Sequence, residues 1–212
     1  MPTKVEVRPS PIHGRGVFAV EDIAQGELIT NYVTKDKIYK TDDENARVHA
    51  RCFGYILNGT DGKHVLVGDP ESEFDLEHCG FLVNDTYKGN LPDTLDFDAN
   101  LDALIDYYET GLKRANSTLS EKMYASRDIK KGEEIVTNYG YNYWLTRKHK
   151  VLQIPDDLRR ICAMCSETPF LRIILDMKER RDVPTFFKLI LETTKAMERE
   201  QMEKDKEETA TS

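Results

Sequence analysis

Hydrophobic and polar positions follow two different periods along the chain. Up to about residue 145, short segments alternate apolar with polar side chains and are separated by turn residues, a pattern typical of β-strands. Beyond residue 155 the apolar positions recur with the spacing of a helix, for example from Phe186 to Met197. We therefore predict a mainly β domain with a helical C-terminal extension.

An internal repeat brackets the β region. Residues 19–29 and 125–135 share Ala, Asp, Ile, Gly, Glu and a final Ile at equivalent positions. In each copy the Asp and Gly fit a turn between two strands, and the first Ile fits an inward anchor. Two similar hairpins at either end predict that residues 1–145 form one domain, with an insertion at about residues 88–114. Residues 146–205 would then be the helical extension and residues 206–212 a frayed tail.

The predicted insertion is rich in aspartate. Its second half, from Leu101 to Leu112, has the pattern of a short helix. The aspartates lack the spacing of a calcium-binding loop, so we interpret them as a solvated face. They are Asp93, Asp96, Asp98, Asp102 and Asp106.

Composition and charge narrow the class of partner. Hydrophobic residues make up 39% of the chain and charged residues 32%, as in an ordinary soluble protein, and the formal net charge is -8 at pH 7. This balance argues against direct binding of nucleic acid, which needs clustered Lys and Arg, and suits a basic protein or peptide. No segment approaches the roughly 18 apolar residues of a membrane span, and the start lacks a signal-peptide pattern. We expect an intracellular protein of the nucleus or cytoplasm, without membrane association.

The four cysteines are Cys52, Cys79, Cys162 and Cys165. In an intracellular protein they are expected to be reduced. Cys162 and Cys165 have the two-residue gap of a zinc-binding pair, but no second pair is spaced to complete four ligands. Buried helix thiols are the favoured interpretation, and we predict no metal site.

The segment of residues 132–144 carries the strongest candidate chemistry. Tyr139, Tyr141 and Tyr143 share one parity and are followed by Trp144, so in an extended segment the three phenols would lie on one face. The alternative is an aromatic corner that only packs.

Two other segments place polar groups beside apolar runs. Gly14 and Gly16 precede an apolar strand and leave backbone amides open to a ligand, although a plain turn has the same pattern. Asn84 and Asp85 directly follow another apolar run, where small polar side chains cap, turn or bind.

Taken in order, these motifs resemble the SET-domain family of protein-lysine methyltransferases. The matching segments are residues 13–19, 80–85 and 132–140, within a resemblance that covers about residues 4–145. The compact ending at Tyr143 and Trp144 resembles small SET enzymes of viral type. The resemblance implies the SET fold of small curled β-sheets, in which the segments of Asn84 and Tyr139 form a pseudoknot.

The resemblance also implies an activity and its residues. The chain would transfer methyl groups from S-adenosylmethionine to lysine in a basic protein tail, with a histone as the first candidate. Tyr139 would be the catalytic tyrosine at the mouth of a lysine channel, and Tyr55 and Tyr141 the substrate-binding residues. The implied cofactor-binding residues are Gly14, Arg15, Gly16, Asn84, Asp85, Tyr139, Tyr143 and Trp144.

The chain departs from the family pattern at Asp85, where many members have histidine. If the position contributes mainly backbone contacts, activity is retained; if the imidazole shapes the cofactor pocket, binding weakens. The family's second asparagine has its best counterpart in Asn116, beyond the insertion.

Two alternatives to an active enzyme are kept open. The chain is then either a catalytically weak SET-like module that binds a protein partner through its C-terminal helices, or a helical assembly protein whose β domain is only a mount. The C-terminal helices also offer a surface for a homodimer, as the resemblance to small viral-type members implies.

Overall fold

The computed structural model describes residues 3–44, 55–59, 61–71, 73–87, 91–149, 153–165 and 182–210. The strands in these ranges are β1 (Val5–Pro9), β2 (Arg15–Ala19), β3 (Leu28–Asn31), β4 (Ile38–Lys40), β5 (Tyr55–Asn58), β6 (His64–Gly68), β7 (Asn84–Asp85), β8 (Lys122–Tyr124) and β9 (Glu134–Thr137). The α-helices are α1 (Phe97–Arg114), α2 (Tyr141–Lys148), α3 (Asp156–Cys165) and α4 (Asp182–Ala210). The predicted β region with a helical C-terminal part is confirmed.

The chain divides into two compact units. The first comprises Met1–Lys88 and Thr110–Tyr139, and the second comprises Gly89–Glu109 and Gly140–Ser212. This division differs from the predicted boundaries, because most of the expected insertion groups with the C-terminal helices. The physical reason lies in α1, whose apolar face is buried within the second unit, for example where Tyr107 meets the ring of Tyr141 at 6.0 Å.

The first unit contains three small sheets. The largest has the strand order β1-β2-β9-β7, and the others pair β3 with β8 and order β4-β6-β5. β2 lies between β1 and β9, so its residues from Gly16 to Ala19 are all buried, which explains its continuous apolar run. The core among the sheets includes Val17, Ile23, Leu66, Phe81, Met123, Ile129 and Ile135.

One strand pairing is parallel and joins distant parts of the chain. β7 lies beside β9, with Asn84 opposite Val136 and Asp85 opposite Thr137. β9 in turn pairs antiparallel with β2. The segments of Asn84 and Tyr139 are thus brought side by side, next to the turn that carries Gly14 and the start of β2 that carries Gly16.

The predicted hairpins of the internal repeat are wrong, because the strands of each copy pair with strands of the other copy: β2 pairs with β9, and β3 pairs with β8. The two repeat segments, residues 19–29 and 125–135, instead dock on each other reciprocally. Ile23 N donates to Ile129 O at 2.9 Å, and Ile129 N donates to Ile23 O at 2.9 Å. Both isoleucine side chains are buried, as predicted for inward anchors. Two further pairs of bonds have the same near-twofold symmetry. Gln25 N donates to Asp128 Oδ1, and Lys131 N donates to Asp22 Oδ1, both at 2.9 Å. Gly26 N donates to Ala125 O at 2.8 Å, and Gly132 N donates to Ala19 O at 2.7 Å.

The second unit is helical where the structure describes it. α4 buries Val183, Phe187 and Leu191, spaced four residues apart, as expected for one face of a helix. Ion pairs link α3 to α4: Arg160 bonds Glu198 at 2.6 Å, and Lys195 bonds Asp157 at 2.7 Å. α4 continues to Ala210, into the segment predicted to fray.

The helix predicted inside the insertion is confirmed and is longer than expected, since α1 spans Phe97–Arg114. The aspartates before and along it are exposed, so their interpretation as a solvated face is also confirmed; they are Asp93, Asp96, Asp98, Asp102 and Asp106. Among the described residues, no helix combines the length and apolar character needed to cross a bilayer.

Candidate active site

Gly14, in the turn between β1 and β2, and Gly16, at the start of β2, are needed for different reasons. Gly14 has a φ of 50°, which side-chain-bearing residues rarely adopt. Its carbonyl oxygen accepts a hydrogen bond from Ser10 N at 2.8 Å, which closes the turn. A Cβ on Gly16 would lie 2.3 Å from Glu134 Oε1 and 3.0 Å from Ser10 Cβ, so a side chain here would displace the Glu134 carboxylate from its present position.

Asn84 ties this turn to the end of β7. Its Nδ2 donates to the carbonyl oxygens of His13 and Arg15, both at 3.1 Å, and to Glu134 Oε1 at 3.0 Å. Three acceptors around one atom identify it as the nitrogen. The Asn84 side chain is nearly buried, and its Oδ1 accepts no hydrogen bond from the described residues. The amide oxygen is thus available to a ligand.

The next residue, Asp85, faces Tyr139. Asp85 Oδ2 accepts a hydrogen bond from Tyr139 N at 2.8 Å, and Oδ1 accepts one from Tyr87 N at 2.8 Å. The Asp85 side chain is buried, with 3% of the residue exposed. Burial of a carboxylate is tolerated here because backbone amides supply its hydrogen bonds.

The phenol of Tyr139 is also held by this segment. Its hydroxyl donates to the carbonyl oxygen of Val83 at 2.5 Å, and the residue is half-buried. Since the hydroxyl proton is directed at Val83, the lone pairs of the phenol oxygen are the part of the group that can receive a donor.

A row of rings lies beside the same segment. Tyr55 meets Phe81 edge-to-face with 6.1 Å between ring centroids, and Phe81 meets Phe74 at 5.5 Å. The Arg15 guanidinium lies 5.4 Å from the Phe74 ring centroid. A Cβ on Gly68 would come within 2.4 Å of Phe81, so a glycine here lets the phenylalanine pack against β6. Tyr55 is thereby connected by packing to the residues that precede Asn84.

Asn116 supports β9 from the other side. It is almost fully buried; its Oδ1 accepts from Val136 N at 2.8 Å, and its Nδ2 donates to Glu134 O at 2.9 Å. Both groups of this side chain therefore hold the strand that leads to Tyr139.

Sequence reasoning missed two residues of the site, Ser10 and Glu134. Ser10 Oγ donates to Glu134 Oε1 at 2.7 Å, on the same oxygen that accepts from Asn84. The only available signal was Glu134 at the start of an alternating strand, which marks a polar position and says nothing of its partners.

The expectation that three tyrosines share one face is wrong. β9 ends at Thr137, Gly140 takes a φ of 90°, and α2 begins at Tyr141. A helix turns by about 100° per residue, so the period-two alternation does not extend to Tyr141 and Tyr143.

Three predicted site residues belong to the second unit. Tyr141 is fully buried, and its hydroxyl donates to Asn100 Oδ1 at 3.1 Å. The half-buried rings of Tyr143 and Trp144 meet edge-to-face at 5.1 Å, and the Arg147 guanidinium lies 5.0 Å from the Tyr143 ring centroid. Their predicted roles toward cofactor and substrate stay predictions. In the first unit, the structure brings together Gly14, Arg15, Gly16, Asn84, Asp85 and Tyr139.

The cysteines within the described ranges are buried free thiols, as interpreted from the sequence: Cys79, Cys162 and Cys165. Burial raises the pKa of the Cys162 and Cys165 thiols to about 12, so they are protonated at neutral pH. Cys52 lies outside the described residues. No cluster of His, Cys, Asp and Glu suited to a metal ion occurs in the part of the chain that the structure describes.

Comparison with known proteins gives one family match. The model of the SET domain matches residues 14–140. Among solved structures, a candidate histone methyltransferase from Plasmodium falciparum is similar, with 19% sequence identity and a TM-score of 0.37 over 68% of this chain and 99% of that chain. No curated protein matches the sequence.

Proposed function

The chain belongs to the SET-domain family, and from that membership we propose that it is an S-adenosylmethionine-dependent protein-lysine methyltransferase. One observation carries the proposal. The parallel pairing of β7 with β9 sets the Gly14 turn, Asn84 and Tyr139 within one network of hydrogen bonds. Methyl transfer to lysine needs a site that binds the methyl donor, here the turn, and a group that orients the lysine amine, here the tyrosine hydroxyl.

The residues at the turn fit the methionine end of the cofactor. Asn84 Oδ1, which has no partner among the described residues, can accept a hydrogen bond from an ammonium group. The backbone of the segment from Gly14 to Gly16 is proposed to contact the same end of the cofactor, because glycine lets backbone approach a ligand closely. When bound, S-adenosylmethionine supplies a methyl group on a positively charged sulfur. Tyr143 and Trp144 are proposed to cover its adenine.

The residues around Tyr139 fit the lysine. A lysine amine must lose its proton before it can accept a methyl group, and its pKa in water is about 10.4. An aromatic, partly buried surface disfavours the charged ammonium and lowers that pKa. The Tyr139 hydroxyl donates to Val83, so its oxygen can accept an N–H from the neutral amine and aim the nitrogen lone pair. Alignment and desolvation then supply most of the rate.

We propose a basic protein tail as substrate, with histone tails tested first. The formal net charge of -8 supports a positively charged partner, because opposite charge steers association. Tyr55 and Tyr141 are proposed to contact the substrate. An enzyme of this kind would work in the nucleus or cytoplasm, and pairing through the C-terminal helices would make it a homodimer.

The test is transfer of labelled methyl from S-adenosylmethionine to histones and lysine-rich peptides. Tyr139→Phe removes one hydroxyl and Asn84→Ala one amide, and both are expected to reduce transfer at least about tenfold. Matched controls are Tyr124→Phe at an exposed position of β8 and Asn142→Ala at an exposed position of α2, which should keep parental rates. Transfer that survives in both site variants would refute the assignments.

The alternative is a catalytically weak SET-like module that binds a partner through its C-terminal helices. Asp85, in place of the family's histidine, favours it. Cofactor binding by calorimetry without transfer to any substrate of the panel would identify that module and exclude the enzyme.

A further inference from the structure

Asn84 and Asp85 serve opposite sides of the strand they form. Consecutive residues of a strand point to opposite faces. In agreement, Asn84 bonds the turn that carries Gly14, whereas Asp85 bonds the backbone of Tyr139. Asp85 is therefore on the face of β7 that holds the tyrosine.

Tyr139 is anchored at both of its ends to the same short segment. Its backbone N–H donates to Asp85 Oδ2 at 2.8 Å, and its hydroxyl donates to Val83 O at 2.5 Å. The other Asp85 oxygen accepts from Tyr87 N at 2.8 Å, which fixes the carboxylate itself. The bond to Asp85 fixes the backbone of Tyr139, and the bond to Val83 fixes the position of its hydroxyl.

We propose that Asp85 is a positioning residue for Tyr139, acting on the lysine side of the site and not on the cofactor. This inference rests on the proposed methyl transfer. It reassigns Asp85 from the cofactor-binding set that the sequence resemblance implied. The position occupied by histidine in many relatives would here hold the reacting tyrosine through a buried carboxylate.

The expected effect follows from the two acceptors of the carboxylate. Asp85→Asn keeps one oxygen and replaces the other by an N–H₂ group. Tyr87 N and Thr86 Oγ1 both donate to Oδ1, so we expect the oxygen to stay at that position and the N–H₂ group to face the Tyr139 amide, which then loses its acceptor. Misplacement of a positioned group by about 1 Å costs on the order of a hundredfold in rate, and a loosened anchor costs less. We expect kcat to fall about tenfold in Asp85→Asn, with the cofactor Kd within about twofold of the parent.

The first arm is kinetic and includes a double-mutant cycle. Asp85→Asn, Tyr139→Phe and their combination are measured at saturating cofactor and peptide, with Asp102→Asn at an exposed position of α1 as the matched control. If Asp85 acts through Tyr139, the double variant is no slower than Tyr139→Phe alone. A cofactor Kd that rises as far as kcat falls, an unchanged kcat, or fully additive losses would overturn the proposal.

The second arm does not depend on activity. Hydrogen exchange of the Tyr139 amide, read by NMR, should accelerate in Asp85→Asn, while that of Ile135 in β9 stays slow. Unchanged Tyr139 exchange would sink the proposal. If the parent protein transfers no methyl group, the methyltransferase proposal fails by itself, and this arm still decides whether the anchor exists.

A folding defect is separated from the proposed effect by thermal unfolding. Should Asp85→Asn not fold, Asp85→Glu replaces it, since it keeps both oxygens but moves them by one methylene. Asp85→Glu is also expected to lower kcat and to leave the cofactor Kd unchanged. A parental kcat together with faster Tyr139 exchange would refute the link between the anchor and the reaction.

Discussion

Glu134 is expected to hold the cofactor side of the site, and its removal should weaken cofactor binding more than turnover. One carboxylate oxygen accepts from Ser10 Oγ at 2.7 Å and from Asn84 Nδ2 at 3.0 Å. In Glu134→Ala, Asn84 keeps its two carbonyl partners and loses the charged one. The turn also loses the contact that fills the space beside Gly16.

The magnitude follows from these contacts. A hydrogen bond to a charged group contributes about 1.5–3 kcal/mol to stability, and the half-buried position of Glu134 puts its bond from Ser10 Oγ at the low end. The bond from Asn84 Nδ2 adds less, because the two N–H groups of that amide serve three acceptors. We expect a loss of about 2 kcal/mol in the free energy of unfolding. If about 1.4 kcal/mol of that restraint serves binding, the cofactor Kd rises about tenfold. Glu134→Gln keeps the acceptor oxygen and should lose only about twofold to threefold.

Calorimetry of S-adenosylmethionine binding, with urea unfolding alongside, measures both effects. Glu192→Ala on the exposed face of α4 is the matched control and should change neither quantity. If Glu134→Ala keeps the parental cofactor Kd but has a lower kcat at saturating cofactor, then Glu134 supports Tyr139 and not the cofactor site, and the prediction is wrong. An unchanged stability would show that its hydrogen bonds contribute nothing.

Three further predictions concern packing, thiols and pH. Gly68→Ala should destabilise the protein by about 1 kcal/mol or more in urea unfolding, because its Cβ would lie 2.4 Å from the Cβ of the buried Phe81, which cannot move aside without shifting its ring; a stabilised variant would contradict this. The Cys162 thiol, its pKa raised to about 12 by burial, should resist iodoacetamide at pH 8 until the protein unfolds, as mass spectrometry of the labelled peptide would show. Hydrogen bonds from Lys130 and the backbone lower the pKa of Asp22 below its usual 3.8. The stabilisation of the fold by this carboxylate is therefore complete above pH 3.8 and is lost as the pH falls through the lower pKa of the folded state. The unfolding temperature of Asp22→Asn should depend less on pH below 3.8 than that of the parent, and equal slopes would refute this prediction.

Features of the fold that depend on short, local sequence patterns could be predicted. The two turns of the internal repeat, the inward Ile23 and Ile129, and the exposed aspartates before and along α1 all follow from turn residues and periodicity within short windows, whereas the pairing of each copy with the other does not. The family motifs, too, are short and contiguous, so the turn at Gly14 and the pair at Asn84 could be picked out one by one.

The remaining features depend on which distant segments meet. The parallel pairing of β7 with β9 places Glu134 beside Asn84 and Asp85 beside Tyr139, and no local pattern specifies such a crossing. The tyrosine alternation misled because Gly140, at a φ of 90°, ends the extended stretch before Tyr141. The division of the chain likewise depends on where the apolar face of α1 packs.

The reciprocal docking of the two repeat segments, residues 19–29 and 125–135, has a consequence for how the chain folds. Gln25 and Asp128, which bond across it, are 103 positions apart. Contacts of such separation slow folding, and the ribosome must release the second segment before the first can pair with it. Loop-closure entropy grows only with the logarithm of length, about 0.6 kcal/mol for each doubling. The two docked segments can therefore close around an intervening stretch of very different size, which leaves that stretch free to gain or lose residues during evolution.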